Sequence, residues 1–238
     1  MIRFCTGFLL AALAAFDALP LMATVIAPIG LAPGSQYQLI FVTADTIVGS
    51  YGTEAPYNAF VNSQAALGVS SGLPSTSWTA ITSTADGTKA SDNAPWLGLP
   101  VYNTQGIQVN LPAQSLYAGS VFSPVRYDQY GQDPPIPTAT WTGSTALGDP
   151  NVPLGSQDIH SVIDPFALAA STGIFTATGG IAWLQAQFNF FPQYSSHPVY
   201  ALSSALVVPE PGTLTLIGSA LVLLGGRHLL RRGRRAEG

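Results

Sequence analysis

The last stretch of the chain limits how much of it can fold as a domain. From Val208 the sequence reads Val208-Pro209-Glu210-Pro211-Gly212, then an uncharged apolar run from Thr213 to Leu224. It closes on Gly225-Gly226-Arg227-His228-Leu229-Leu230-Arg231-Arg232-Gly233-Arg234-Arg235. Pro209 and Pro211 lack N–H groups and fix φ, so neither suits a helix interior or a central strand. Glu210 between them is expected in an extended, exposed segment. Gly212 to Gly226 would make a helix of roughly 22 Å at the α-helical rise, short against a hydrocarbon core of about 30 Å. Snorkelling by Arg227 and the later arginines, with Leu229 and Leu230 extending the apolar face, makes up the difference. Five of the eight basic residues lie in the final twelve, and the positive-inside rule keeps that end in the cytoplasm.

These features in this order resemble the PEP-CTERM sorting signal of Gram-negative bacteria. The matching residues are Val208-Pro209-Glu210-Pro211, the apolar run, and the cluster of Arg227, Arg231, Arg232, Arg234 and Arg235. The resemblance covers the tail alone. It implies recognition by an exosortase, a membrane-embedded, cysteine transpeptidase-like enzyme, and processing near Pro-Glu-Pro. Delivery to the cell surface or an extracellular polysaccharide (biofilm) matrix would follow. An ordinary C-terminal anchor is the competing expectation; it predicts the same topology without processing.

The other end is also an export segment. Met1-Ile2-Arg3 is a short positive region, and Phe8 to Phe16 is apolar, the pattern of a signal peptide. Asp17 argues against a retained membrane span. Cleavage is expected at Ala23, with Ala18 or Ala27 as alternatives, which implies the Sec translocon and signal peptidase as partners. Cys5, the single cysteine, would leave with it. The expected organisation is a signal peptide over 1–23, an extracellular domain over 24–207 and a sorting signal over 208–238.

A domain of about 185 residues suffices for one apolar core, and without disulfides it must rely on that core. Lys89 and Arg126 are its only bases, set against nine acids, a net charge of about −7. Nucleic-acid binding needs a basic footprint, which is missing. The surface must consist largely of Ser, Thr, Asn, Gln and Gly, suited to a polysaccharide environment.

Within the domain, Gln36–Thr43 reads as the first strand, preceded by the turn Pro33-Gly34-Ser35. Helical spacing of Tyr57, Phe60, Val61, Gln64, Ala65 and Leu67 predicts a helix over Glu54–Leu67, begun at Thr53 or Glu54 with Pro56 inside it and stopped by Gly68. Further strands are expected over Ser75–Ser83, Leu99–Tyr102, Ile107–Leu111, Thr138–Gly143 and Val199–Val208. Ala85–Pro95 reads as polar connection. Helical turns are expected in Ser115–Phe122 and Pro165–Ser171.

The series Tyr37–Thr43, Ala65–Gly68, Gly72–Ser83, Leu99–Asn103, Leu116–Ser120 and Ala139–Ser144 is similar to an endostatin-like, C-type-lectin-like domain, over roughly Gln36 to Leu206. That family's cysteines are missing here. The resemblance implies an α+β fold of irregular antiparallel strands with at least one packed helix, and with the first and last strands as neighbours. The alternative is an all-β sandwich.

The chemistry-bearing residues are sparse. Gly68-Val69-Ser70-Ser71-Gly72 matches Gly-x-Ser-x-Gly, but a nucleophile elbow needs a strand before the serine and a helix after it. His160 and His197 lack metal-ligand spacing. Asp128, Asp133, Asp149, Asp158 and Asp164 could gather oxygen ligands for Ca²⁺, although Asp149-Pro150-Asn151 reads more simply as a turn. Trp78 and Trp141 read as core; Trp96, Tyr127 and Tyr130 read as surface aromatics that could stack on sugars. The expectation is therefore a non-enzymatic exported protein with no catalytic, metal or cofactor site. A Ca²⁺-dependent glycan-binding module and a secreted serine hydrolase using Ser70 are the alternatives.

Overall fold

β1 (Gln36–Val42) is the strand around which the others are ordered. The computed structural model describes residues 25–134, 139–156, 169–177, 183–185 and 190–210. β1 pairs in parallel with β4 (Val101–Asn103) and antiparallel with β9 (Tyr200–Ser203) and β10 (Leu206–Val207). β3 (Trp78–Ala80) lies outside β9. Two smaller sheets flank this one. β2 (Ile47–Val48) pairs with β8 (Ser196–His197). β5 (Ala139–Trp141), β6 (Ala169–Ile174) and β7 (Phe190–Pro192) follow one another in the other.

β1 is apolar without a break from Leu39 to Val42 because both faces of the sheet are covered there. Tyr37, Leu39 and Phe41 point into one core cluster with Trp78, Ala80 and Ala201. Ile40 and Val42 point into a second with Ile81, Val101, Val109, Leu116, Trp183 and Tyr200. The alternation of a strand sends successive side chains to opposite faces, so an apolar run rather than an alternating one is what a doubly covered strand requires.

Helix α1 (Glu54–Gly68) covers the first face with Tyr57, Val61 and Ala65. The fold is thus a mixture of sheets with a packed helix, which excludes the all-β sandwich. Gly68 does not stop the helix. It is helical itself (φ −74°), and a 3₁₀ turn over Val69–Ser71 continues the path to Gly72, whose φ of +94° ends it. Leu67, expected inside, is 51 % exposed, because the 3.6-residue period carries it past the buried stripe.

α1 also seals the free edge of the sheet. Asn58 Oδ1 accepts from the Ala80 N–H at 2.7 Å, and Asn93 Nδ2 donates to the Ala80 carbonyl at 2.8 Å. Asn93 comes from a short helix, α2 (Ala90–Asn93), within what the sequence suggested was connection. Unpaired edge groups invite another strand, and these amides occupy them.

Several expected strands are shorter. Ser75–Ser83 is strand only over Trp78–Ala80. Ile107–Leu111 forms no strand; it holds on through a bridge from Gln108 to Tyr102 and a bond from the Val109 N–H to Val101. The helical turn expected to reach Ser171 is contradicted there, since Ala169–Ser171 belongs to β6. Among the described residues no helix is long and apolar enough to cross a membrane. The export segment over 1–23, the apolar run from Gly212 and the arginines lie outside the described residues.

Candidate sorting-signal junction

The last strand reaches the Pro-Glu-Pro segment after one irregularity. β9 pairs with β1 as Ile40↔Leu202 and Val42↔Tyr200, whereas β10 pairs as Gln36↔Val207 and Tyr37↔Leu206. The register has slipped by one residue between them, as in a β-bulge. The Ser203 hydroxyl fills the gap: it accepts from the Leu39 N–H at 2.8 Å and donates to the Ser204 carbonyl at 2.7 Å.

Beyond the bulge the last backbone ladder bonds among the described residues are those of Val208. Ala32-Pro33-Gly34-Ser35 forms a tight turn closed by a bond from the Ser35 N–H to the Ala32 carbonyl at 3.0 Å. Proline followed by glycine at φ +80° suits that turn. The Gly34 N–H donates to the Val208 carbonyl and the Val208 N–H donates to the Ser35 carbonyl, both at 2.9 Å. Pro209 has no N–H to carry the ladder on, and Pro209 and Glu210 are exposed. Glu210 stays near the turn: a side chain on Gly34 would meet its Oε1 at 3.7 Å. Of the residues expected to form the signal, Val208, Pro209 and Glu210 are therefore seen, at the end of the sheet. Pro211, Arg227, Arg231, Arg232, Arg234 and Arg235 lie outside the described residues.

The other candidates are dispersed. Ser70 sits in the 3₁₀ turn after a helix, the reverse of an elbow, and its hydroxyl donates to the Leu67 carbonyl at 3.3 Å. Asp128 Oδ1 accepts the N–H groups of Tyr130 and Gln132. Asp133 pairs with Arg126, and Asp149 pairs with Lys89 at 2.8 Å. His160, Asp158 and Asp164 lie outside the described residues, and among the described ones no His, Cys, Asp and Glu gather as a metal would need. Asp149-Pro150-Asn151 is not itself the turn: the turn is Thr145–Gly148, closed by the Gly148 N–H on the Thr145 carbonyl. Asp149-Pro150 leaves it, with the Asp149 carbonyl accepting from the Thr145 N–H and Pro150 bridging Ser144. Trp96 is not the free aromatic the sequence suggested. Its Nε1–H donates to the Leu99 carbonyl at 2.7 Å and its ring packs on the second core cluster.

Glu54 and His197 prove to be buried. Glu54, 8 % exposed, accepts from Thr82 Oγ1 at 2.6 Å and from Asn93 Nδ2 at 3.0 Å. Thr84 Oγ1 lies 3.0 Å from Glu54 and 2.8 Å from Asp86 Oδ1. A hydroxyl has one proton, so Thr84 Oγ1 cannot donate fully to both carboxylates at once, which disfavours their being charged together. Burial likewise pushes the Glu54 pKa up to about 7 against the opposing hydroxyl bonds. The signal was the run Thr82-Ser83-Thr84, a set of hydroxyls in an otherwise apolar strand region. His197 sits between Trp141 and Phe191, with ring centroids 4.7 and 4.6 Å away. Neither ring nitrogen makes a well-formed hydrogen bond among the described residues, and burial lowers its pKa, opposed in part by the Ala139 backbone.

No family model matches the chain, and no curated protein matches it.

Proposed function

We propose that this chain is an exported, non-enzymatic surface or matrix protein, sorted by an exosortase through its C-terminal tail. The observation that carries the reading is Val208-Pro209-Glu210-Pro211 followed by a short apolar run and an arginine cluster. The junction geometry supports it: ladder bonding ends at Val208, and the next two residues stand exposed. The order of events is export through the Sec translocon, loss of the signal peptide to signal peptidase, and transient anchoring by the apolar run. The exosortase then acts near Pro-Glu-Pro. Its thiolate attacks a backbone carbonyl, the C–N bond breaks, and the tail leaves with a new amino terminus. The resulting thioester passes the domain's carboxyl group to an acceptor nucleophile at the surface or in the extracellular polysaccharide. The domain itself we read as C-type-lectin-like, supported by its packed helix and by the pairing of its first and last strands.

Glu210→Ala tests this in the native host. An anchor needs the apolar run and the arginines, not this carboxylate. The variant is expected to insert normally yet keep its tail and stay in the membrane, while intact mass shows the exported wild type without Cys5 and without the arginine cluster. A Glu210→Ala protein trimmed and delivered like wild type would leave the simple anchor as the correct reading.

A further inference from the structure

An enzyme that acts on a backbone commonly binds it as an extended strand, through the main-chain groups flanking the bond. On the N-terminal side of Pro209 those groups are already taken. Val208 gives its carbonyl to the Gly34 N–H and its own N–H to Ser35. Val207 and Leu206 stand opposite Gln36 and Tyr37. The folded domain therefore occupies one edge of this strand, including both main-chain groups of Val208, the residue next to Pro209.

The hold is short and separable. β10 has two residues, Val207 is 55 % exposed, and Leu206 and Val208 are only half-buried. On the other side of the bulge the situation reverses. Tyr200, Ala201, Leu202 and Ser203 are all buried, and β9 is flanked by both β1 and β3. The Ser203 hydroxyl satisfies the Leu39 N–H without help from β10. The Ser204 N–H also donates to the Ser77 carbonyl at 3.0 Å, so an opening that begins at Val208 meets a natural stop at Ser203 and Ser204.

We infer that release of β10 from β1 is the step that admits the Pro-Glu-Pro segment to its processing enzyme, and that the bulge at Ser203, with Ser204 held to Ser77, confines this release to residues 205–210. Local opening of weakly held chain ends is the kind of motion that functional segments draw on. The turn at Pro33-Gly34 is then a positioning element that keeps the segment docked until the enzyme takes it. The inference rests on the sorting reading given above.

The test is a cross-link across the gate. Gln36 and Val207 oppose each other and are both exposed. Opposed Cα atoms of antiparallel strands lie about 4.5–5.5 Å apart, within the range a disulfide spans. Full-length protein carrying Gln36→Cys and Val207→Cys is expressed in the native host, and tail loss is followed by mass. The oxidised form is expected to be processed roughly tenfold more slowly or worse, because a strand that frays at little cost is now closed. Reduction should restore the rate. A four-residue Gly-Ser insert between Val208 and Pro209 should restore it even in the oxidised form. Leu206→Ser, which loosens β10 without a cross-link, should be processed faster than wild type. A cross-linked protein processed at the wild-type rate, an insert that fails to rescue, or a Leu206→Ser rate at or below wild type each overturns the inference. Wild-type protein that never loses its tail sinks the sorting reading instead, so the two failures are told apart.

Discussion

Asn62 holds the main chain of Trp78 by both its groups: Oδ1 accepts from the Trp78 N–H at 3.1 Å and Nδ2 donates to the Trp78 carbonyl at 2.7 Å. One side-chain amide on α1 thereby stands in for a neighbouring strand. Asn58 sits one helical turn earlier and does the same for the Ala80 N–H, so an i, i+4 pair matches two outward-facing residues of β3. Asn62→Leu keeps the size but leaves both Trp78 groups without their partner. It is expected to lower stability by about 1–2 kcal/mol and to raise the tendency to self-associate through β3. Denaturant titration and light scattering of the isolated domain check both effects. A variant as stable and as monomeric as wild type would show that water serves the edge equally well.

Glu54 contributes stability in acid. Its folded pKa of about 7 lies above the ordinary 4.5. The folded state therefore binds the proton more tightly, and the stability it confers is full below pH 4.5 and falls as pH rises through 7. In Glu54→Gln the amide donates to Thr84 and accepts from Thr82 at every pH. Relative to wild type it should gain roughly 2–3 kcal/mol between pH 4 and pH 8. Unfolding curves at these two pH values decide it; an unchanged difference rejects the protonated carboxyl.

His197 works in the opposite direction. Its folded pKa is below the ordinary 6.5, so the neutral ring is favoured, and stability is lost as pH falls through 6.5. Glu54 masks this trend in the wild type, because its own contribution grows over the same interval. In the Glu54→Gln background the thermal midpoint should drop between pH 7 and pH 5, and adding His197→Phe should flatten that drop. A double variant with the same acid slope would assign the slope to other groups.

Gly68 separates two roles of glycine. As a helical residue it would be improved by alanine, by about 1 kcal/mol of helix propensity. Yet a Cβ there would lie 2.5 Å from the Gln129 carbonyl and 3.1 Å from Leu73 Cδ2. Gly68→Ala is therefore expected to destabilise the domain by roughly 1–3 kcal/mol through overpacking. Stabilisation by the alanine, read from the denaturation midpoint, would mean that α1 shifts freely against the loop carrying Gln129.

The sequence announced those elements whose residues obey one period and one chemistry. The apolar Gln36–Val42 and Tyr200–Ser203 segments, and the Tyr57, Val61, Ala65 stripe, were legible for that reason. β6 was not, because Ala169–Ile174 consists mostly of small residues of weak preference and draws its strand geometry from the partners on either side. α2 is only four residues long, below what periodicity detects. Trp96 misled because an indole in a Pro-rich loop looks exposed until the Leu99 carbonyl is found beside it. The end of the ladder at Pro209 could be read directly, since a proline has no N–H to donate to it. Its dependence on the turn at Gly34 could not, since that turn is distant in sequence.

The slip at Ser203 has a mechanical meaning. A pull on the C-terminus would strain β10 one rung at a time, as in opening a zip, and two rungs resist little. At Ser203 the geometry of loading changes: further advance must tear β9 from β1 on one side and from β3 on the other in the same motion. The strand thus combines a compliant leader with a stiff root. For a molecule tethered by that end in flowing liquid, the leader would absorb small jolts while the root keeps the domain folded.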